Sequence, residues 1–116
     1  MSRFQRSDRV KEVVRRAISQ IIENELWDER VNGVTVTGVD VSRDLKYAKV
    51  YFSILGDDQA ISDASDALNS AAGLLRSRLG DAIRLRYTPE LQFRYDSTLA
   101  NGMHMDRLLE ELNRDS

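Results

Sequence analysis

"NSAAGLLRSRLG", residues 69–80, keeps the apolar rhythm of an amphipathic helix and yet places Gly73 inside it. A glycine in a helix interior costs about 1 kcal/mol relative to alanine. The rhythm starts upstream in "GDDQAISDASDAL", where Ile61, Ala64 and Leu68 lead into Ala71, Ala72, Leu75, Leu79, Ala82 and Ile83. These positions are adjacent or three or four apart throughout, so the stripe passes Gly73 in phase. That pattern predicts a helix that bends at the glycine while both halves keep one core face. Gly80 is a second weak point, expected to loosen the last turn.

On the N-terminal side, Val10, Val13, Val14, Ala17, Ile18, Ile21 and Ile22 predict a helix over 8–26. Ser7 is placed to cap it and Asp8 suits its first turn. "WDERVNG" reads as the exit, with turn chemistry at Asn32-Gly33. In "VTVTGVDVS" the alternation of Val34 and Val36 slips by one before Val39 and Val41, and a glycine at such a slip, Gly38, predicts a β-bulge. "KYAKVYFSIL" alternates without a break, and "SRDLK" between the two strands is short enough for a hairpin. On the C-terminal side, Leu85, Tyr87, Leu91, Phe93 and Tyr95 share one side of a strand whose regular part begins near Glu90, because Pro89 cannot donate a ladder bond. "GMHMDRLLEEL" reads as a short terminal helix or fraying end. The order is helix, strand, strand, helix, kink, helix, strand: an α+β domain with a three-stranded sheet and its helices on one face.

The chain has 116 residues, which suits a single domain over 1–116, with a core over about 7–97 and a short helix or tail over 102–116. It has no cysteine, so disulfides, thiolate zinc sites and thiol nucleophiles are excluded. The N-terminus lacks the apolar run of a signal peptide. No stretch approaches the roughly 18 unbroken apolar residues of a membrane span. The formal net charge of −2 hides two basic regions. Residues 3–16 carry Arg3, Arg6, Arg9, Lys11, Arg15 and Arg16 against Asp8 and Glu12. Residues 74–87 carry Arg76, Arg78, Arg84 and Arg86 against Asp81. Exposed charges are screened beyond about 8–10 Å, so such faces can attract phosphate on an acidic protein.

Catalytic patterns are missing. "GVTVTGVD" has glycines five apart but Val39-Asp40 where a phosphate loop needs Lys and Ser/Thr. His104 is the single histidine and lies near the end, which reads as an exposed residue. Asp57, Asp58 and Asp63 could ligate a divalent ion, but at a helix start they complement its dipole. The expectation is a protein that is not an enzyme and has no cofactor or metal.

A kink beside glycine can open the N-terminal amides of the second helix, and those amides attract phosphate. Small side chains let a sugar-phosphate chain come close, and Arg76 and Arg78 lie just beyond. The same small residues can equally serve close packing in the core, and both readings stand. The basic face of the first helix is also open to two readings, since Glu12 is placed to pair with Arg16. Tyr47 and Tyr51 could stack bases, but with Lys49 between them they could as well face solvent or contact a helix.

"VTVTGVDVSRDLKYAKVYFSILG", "AAGLLRSRLG", "RLRYTPELQFRYD" and "GMHMDRLLEEL" together resemble the bacterial ribosome-binding factor A family, from about Ser7 to Leu112. The resemblance implies a type II KH-like domain in which Ala71-Ala72-Gly73 replaces the GXXG loop of other KH modules. It also implies a cytoplasmic, non-catalytic factor that binds the 30S subunit and assists late maturation and processing of 16S rRNA, with a role in cold adaptation. Where the family pattern has LKDPRV this chain has "LWDERV", so Trp27 removes a charge and Glu29 a helix-stopping proline, and a looser exit from the first helix is expected. The candidate RNA-binding residues are Arg3, Arg6, Arg9, Lys11, Arg15, Arg16, Arg43, Lys46, Ala71, Gly73, Arg76, Arg78, Arg84 and Arg86. The partner that the resemblance implies is the 30S subunit with its 16S rRNA, and the free protein is expected to be a monomer. The rivals are a protein–protein adaptor using an apolar edge, and a small enzyme built around His104 or the acidic cluster.

Overall fold

The valine-isoleucine stripe of the first helix goes where its spacing sends it. In a computed structural model, which describes residues 6–85 and 87–97, α1 spans Arg6–Glu25. Val14, Ile18, Ile21 and Ile22 are buried along it. The helix begins ahead of Ser7, which is therefore inside it rather than capping it; nothing in Arg6 disfavours helix, so the first turn extends back. The exit is better defined than Trp27 and Glu29 suggested. A 3-10 turn, Glu29–Val31, follows α1, and the Asp28 carboxylate accepts from the Arg30 N–H at 2.9 Å and from its guanidinium at 2.8 Å. Val31 is buried, and Gly33 takes a φ of +82°, a left-handed conformation that suits glycine. Trp27 itself is 93% exposed.

Strand β1, Thr35–Val41, pairs antiparallel with β2, Tyr47–Ser53. The register slips between Val36 and Gly38, so the expected bulge is present and Thr37 is its extra residue. The slip restores Val39 and Val41 to the core side, where both pack against it. In the connecting turn Leu45 has a φ of +62°. That conformation costs a leucine roughly 1–2 kcal/mol. It is braced by the Leu45 N–H donating to the Ser42 carbonyl at 2.9 Å and by Asp44, which accepts from the Ser42 hydroxyl at 2.7 Å and the Lys46 N–H at 3.1 Å. These bonds, the hydroxyl first, hold the Asp44 carboxyl below its ordinary range.

Helices α2, Asp58–Ser70, and α3, Ala72–Ala82, carry the chain to β3, Glu90–Tyr95, which pairs parallel with β2. The sheet order is β1-β2-β3. Ala48, Val50 and Phe52 of β2 meet Leu91 and Phe93 of β3 and the buried faces of all three helices in one cluster. Asp57 caps α2, accepting from the Ala60 N–H at 2.9 Å, and Asp63 accepts from the Gln59 amide at 2.8 Å. The acid-rich start of α2 thus serves the helix itself. At the outer edge of β3, the Asn69 side chain accepts from the Phe93 N–H at 2.9 Å and donates to the Phe93 carbonyl at 3.1 Å. An exposed edge is a template for unwanted pairing, and the amide blunts it.

Candidate nucleic-acid interface

The rod breaks, but not at Gly73. Ala71 takes φ −89° and ψ 2°, outside helical geometry, and α3 starts at the next residue. The Ala71 N–H still donates to the Ala67 carbonyl at 3.0 Å and its own carbonyl accepts from Leu75 at 2.9 Å. The break is therefore a local change of backbone angle within a continuous path. No side chain caps the start of α3, so its first-turn amides lack the partner that an Asp or Ser would supply.

Gly73 lies in that first turn and is exposed, and a Cβ built on it would meet nothing within 4 Å. The two readings of the small residues now separate. Ala71 and Ala72 are half-buried and pack against the core, so their size has a packing reason. Gly73 has none inside the molecule. Its missing side chain keeps the outside of the break open. Gly80 differs again: a Cβ there would lie 3.0 Å from the Thr88 hydroxyl, so this glycine admits the segment leading into β3. It does not loosen α3, which runs through it.

Gly73, Arg76, Ser77 and Gly80 fall at i, i+3, i+4 and i+7, one face of α3. With Tyr87 and Thr88 they line a groove of about 530 Å³. A second depression, of about 260 Å³, joins it through Arg76, Tyr87 and Thr88 and adds Lys46, Tyr47 and Glu90. The Arg76 guanidinium donates twice to the Thr88 carbonyl, at 3.0 and 3.1 Å, which fixes it at the seam. Lys46 forms no ion pair with any described residue. The structure thus brings Lys46 and Arg76 together beside the break.

It separates others. Residues two apart on a helix point to opposite sides, and Arg78 turns toward α1, 3.5 Å from Glu25. Lys11 reaches Asp40 at 3.6 Å and Asp8 at 3.9 Å. Arg15 and Arg16 both hold Glu12, at 2.6 and 3.1 Å. Arg9, Arg43 and Arg84 are exposed, with no ion pair among the described residues. Arg6 lies in α1. Arg3, Arg86, His104 and the segment expected to form a terminal helix or tail fall outside the described residues. Tyr87, expected on the core side, is 57% exposed, because the alternation of β3 does not extend back across Pro89.

The pairing on α1 is open to a direct check. The Arg15 guanidinium first, and Arg16 after it, lower the Glu12 carboxyl from 4.5 to about 2. A depressed folded pKa contributes stability that is complete above the unfolded value and fades as pH falls from about 4.5 toward 2. The expected NMR titration midpoint of Glu12 is thus near 2. A midpoint near 4.5 would mean that both arginines are available to a ligand.

Among the described residues there is no cluster of three or more His, Asp or Glu able to hold a metal ion, and no helix is long and apolar enough to cross a membrane. A family model described as ribosome-binding factor A matches residues 6–109. The chain belongs to the ribosome-binding factor A family. Among ribosome-binding factor A proteins, that of Nitrosomonas europaea is 47% identical over 112 residues, covering 96% of each chain. The Desulfitobacterium hafniense protein is 46% identical over 110 residues, 95% of this chain and 88% of that one. The crystal structure of ribosome-binding factor A from Thermus thermophilus superposes with a TM-score of 0.70 at 26% identity, over 78% of this chain and 97% of that one. A homology model of Thermus thermophilus ribosome-binding factor A, fitted into the cryo-electron-microscopy map of a complex of the 30S subunit with ribosome-binding factor A, gives 0.61 at 28% identity, over 72% and 88%. Family membership makes this a non-catalytic ribosome assembly factor with a type II KH-like fold.

Proposed function

We propose that this chain binds the 30S ribosomal subunit and assists late maturation of 16S rRNA, using the break between α2 and α3 as its main RNA contact. Membership of the ribosome-binding factor A family carries the partner. The exposed Gly73 beside an α3 start without a side-chain cap supports the place. Phosphate oxygens would accept from the first-turn amides of α3, where the helix dipole favours negative charge. Lys46 and Arg76 would neutralise the adjoining backbone. Arg9, Arg43 and Arg84 would add exposed charge, and Arg3, Arg6 and Arg86 belong to the same reading. Lys11, Arg15, Arg16 and Arg78 would join only by exchanging an internal carboxylate for phosphate. We read 1–116 as one KH-like RNA-binding domain, monomeric when free.

Sedimentation with 30S subunits at rising salt tests this. Phosphate contacts release counterions, so affinity should fall with salt. Lys46→Glu with Arg76→Glu should weaken binding and flatten the slope of log K against log salt by about 1.4 units, two single-strand contacts' worth. Arg78→Glu, facing α1, should change the slope less. Wild-type binding that ignores salt would favour a protein–protein adaptor instead.

A further inference from the structure

The grooves beside the break do not end at Tyr47. A third depression, of about 620 Å³, shares Tyr47 and Glu90 with the second and continues over the starts of β2 and β3, where Lys49 and Gln92 line it. Three depressions therefore follow one another, each sharing lining residues with the next, from Gly73 past Arg76 and Tyr87 to Tyr47 and onto the sheet. We propose that this series is a track for single-stranded RNA, in which the phosphate backbone is held at the Gly73–Arg76 end and an unpaired base stacks on Tyr47. The proposal rests on the reading of the break as an RNA contact and extends it to a second contact, a base held on the ring of Tyr47.

The two ends of the track differ in what they can hold. At Arg76 the available groups are donors: a guanidinium anchored to Thr88 and a helix start without a side-chain cap. Over the sheet beyond Tyr47 a single cation, Lys49, is set against Glu90 and Asp40. A phosphate gains little in such surroundings, whereas a neutral base gains from an aromatic face. Tyr47 is 57% exposed, although the next residue, Ala48, is buried in the core. Its place is also fixed in advance. The turn holding Leu45 at a left-handed φ delivers Lys46 and Tyr47, and the Lys46 carbonyl accepts from the Glu90 N–H at 2.8 Å. The Tyr47 N–H donates to the Ser42 hydroxyl at 3.0 Å. Strained backbone held by several bonds is how proteins place groups that meet a ligand, and a platform already in position loses little freedom on binding. Stacking tolerates any base, because each has a π face.

The full-length protein is titrated into 30S subunits, and separately into an oligoadenylate carrying 2-aminopurine, over a range of salt. Tyr47→Ala is expected to weaken both by about tenfold, the worth of one stacked base, with the salt slope unchanged. Tyr47→Phe, which keeps the ring, is expected to restore binding. Leu55→Ala, at an exposed residue off the track, is the control. Annealing the oligonucleotide to its complement should abolish its binding. Circular dichroism melting confirms that each variant folds. Several results would overturn the proposal: undiminished binding by Tyr47→Ala, equal losses in the Ala and Phe variants, or a duplex bound as well as a single strand. A loss confined to 30S subunits, with the oligonucleotide unaffected or unbound, would overturn it too and place the Tyr47 contact on folded rRNA or a ribosomal protein. A wild-type chain that ignores 30S subunits would sink the proposed function as well; binding by wild type with an indifferent Tyr47→Ala would sink the track alone.

Discussion

Gly73→Glu should leave the protein folded and reduce its 30S binding by about 100-fold, the several kcal/mol of a like-charge encounter in part relieved by solvent. The fold is expected to survive because a side chain at residue 73 meets open space, with nothing within 4 Å of its Cβ. Glutamate is also a far better helix former than glycine, by several tenths of a kcal/mol, and a carboxylate in a first turn complements the dipole. Thermal stability should therefore hold or rise slightly. Binding should fall because that same carboxylate occupies the place proposed for phosphate. Gly73→Ala separates shape from charge. It adds one methyl group and should bind more weakly than wild type but much better than Gly73→Glu. The measurement is 30S sedimentation beside a melting curve of each variant. A Gly73→Glu protein that is more stable and binds normally would move the RNA contact away from the break.

The local rules reach far into this fold and stop at contacts between distant segments. The stripe of α1, the bulge before Gly38 and the start of β3 after Pro89 each follow from a few neighbouring residues, and each is found. The place of the break is not local in that sense. Glycine marks the weakest helix former, yet the angle changes at Ala71, and Gly73 is left free to open the exterior. Gly80 reads as a weakness in the sequence because its neighbour, Thr88, is eight residues away and reaches it only when β3 docks. Carrying the period of two across a proline puts Tyr87 on the wrong side. Asn69 bonds both backbone groups of Phe93, 24 residues on, and nothing in its surroundings forecasts that.

For the interface, residue type is legible and grouping is not. Arginines near a glycine-bearing helix suggest a single basic face, but Arg76 and Arg78 part company on the helix wheel and find different anchors, Thr88 and Glu25. The grouping with Lys46 and Tyr47 depends on the hairpin lying beside the segment before β3, a tertiary fact. One signal is available: Gly73, Arg76, Ser77 and Gly80 share a face with no apolar member. Following the apolar stripe alone hides its polar counterpart.

Leu75→Ala should cost about 2–5 kcal/mol of folding stability, the largest single effect expected here. Leu75 is fully buried, and its N–H closes the first bond of α3 onto the Ala71 carbonyl at 2.9 Å. It therefore ties the first turn of α3 to the core formed by Phe52, Leu68 and Leu79. Removing its outer carbons leaves a cavity between helices and sheet that close packing cannot collapse fully. Against a typical total of about 5–15 kcal/mol, such a loss consumes a large share. Chemical denaturation should show a lower midpoint with an unchanged slope. The effect on function should appear before global unfolding does. The amides proposed to meet RNA belong to the turn that Leu75 anchors, so hydrogen exchange at Ala72, Gly73 and Leu74 should accelerate more than exchange in β2. At a temperature where Leu75→Ala is still folded, its 30S binding should be weaker than wild type, whereas Ile18→Ala, which removes as many carbons from a fully buried residue of α1, should spare binding. Equal losses from the two cavities would mean that binding follows overall stability rather than the geometry of the break.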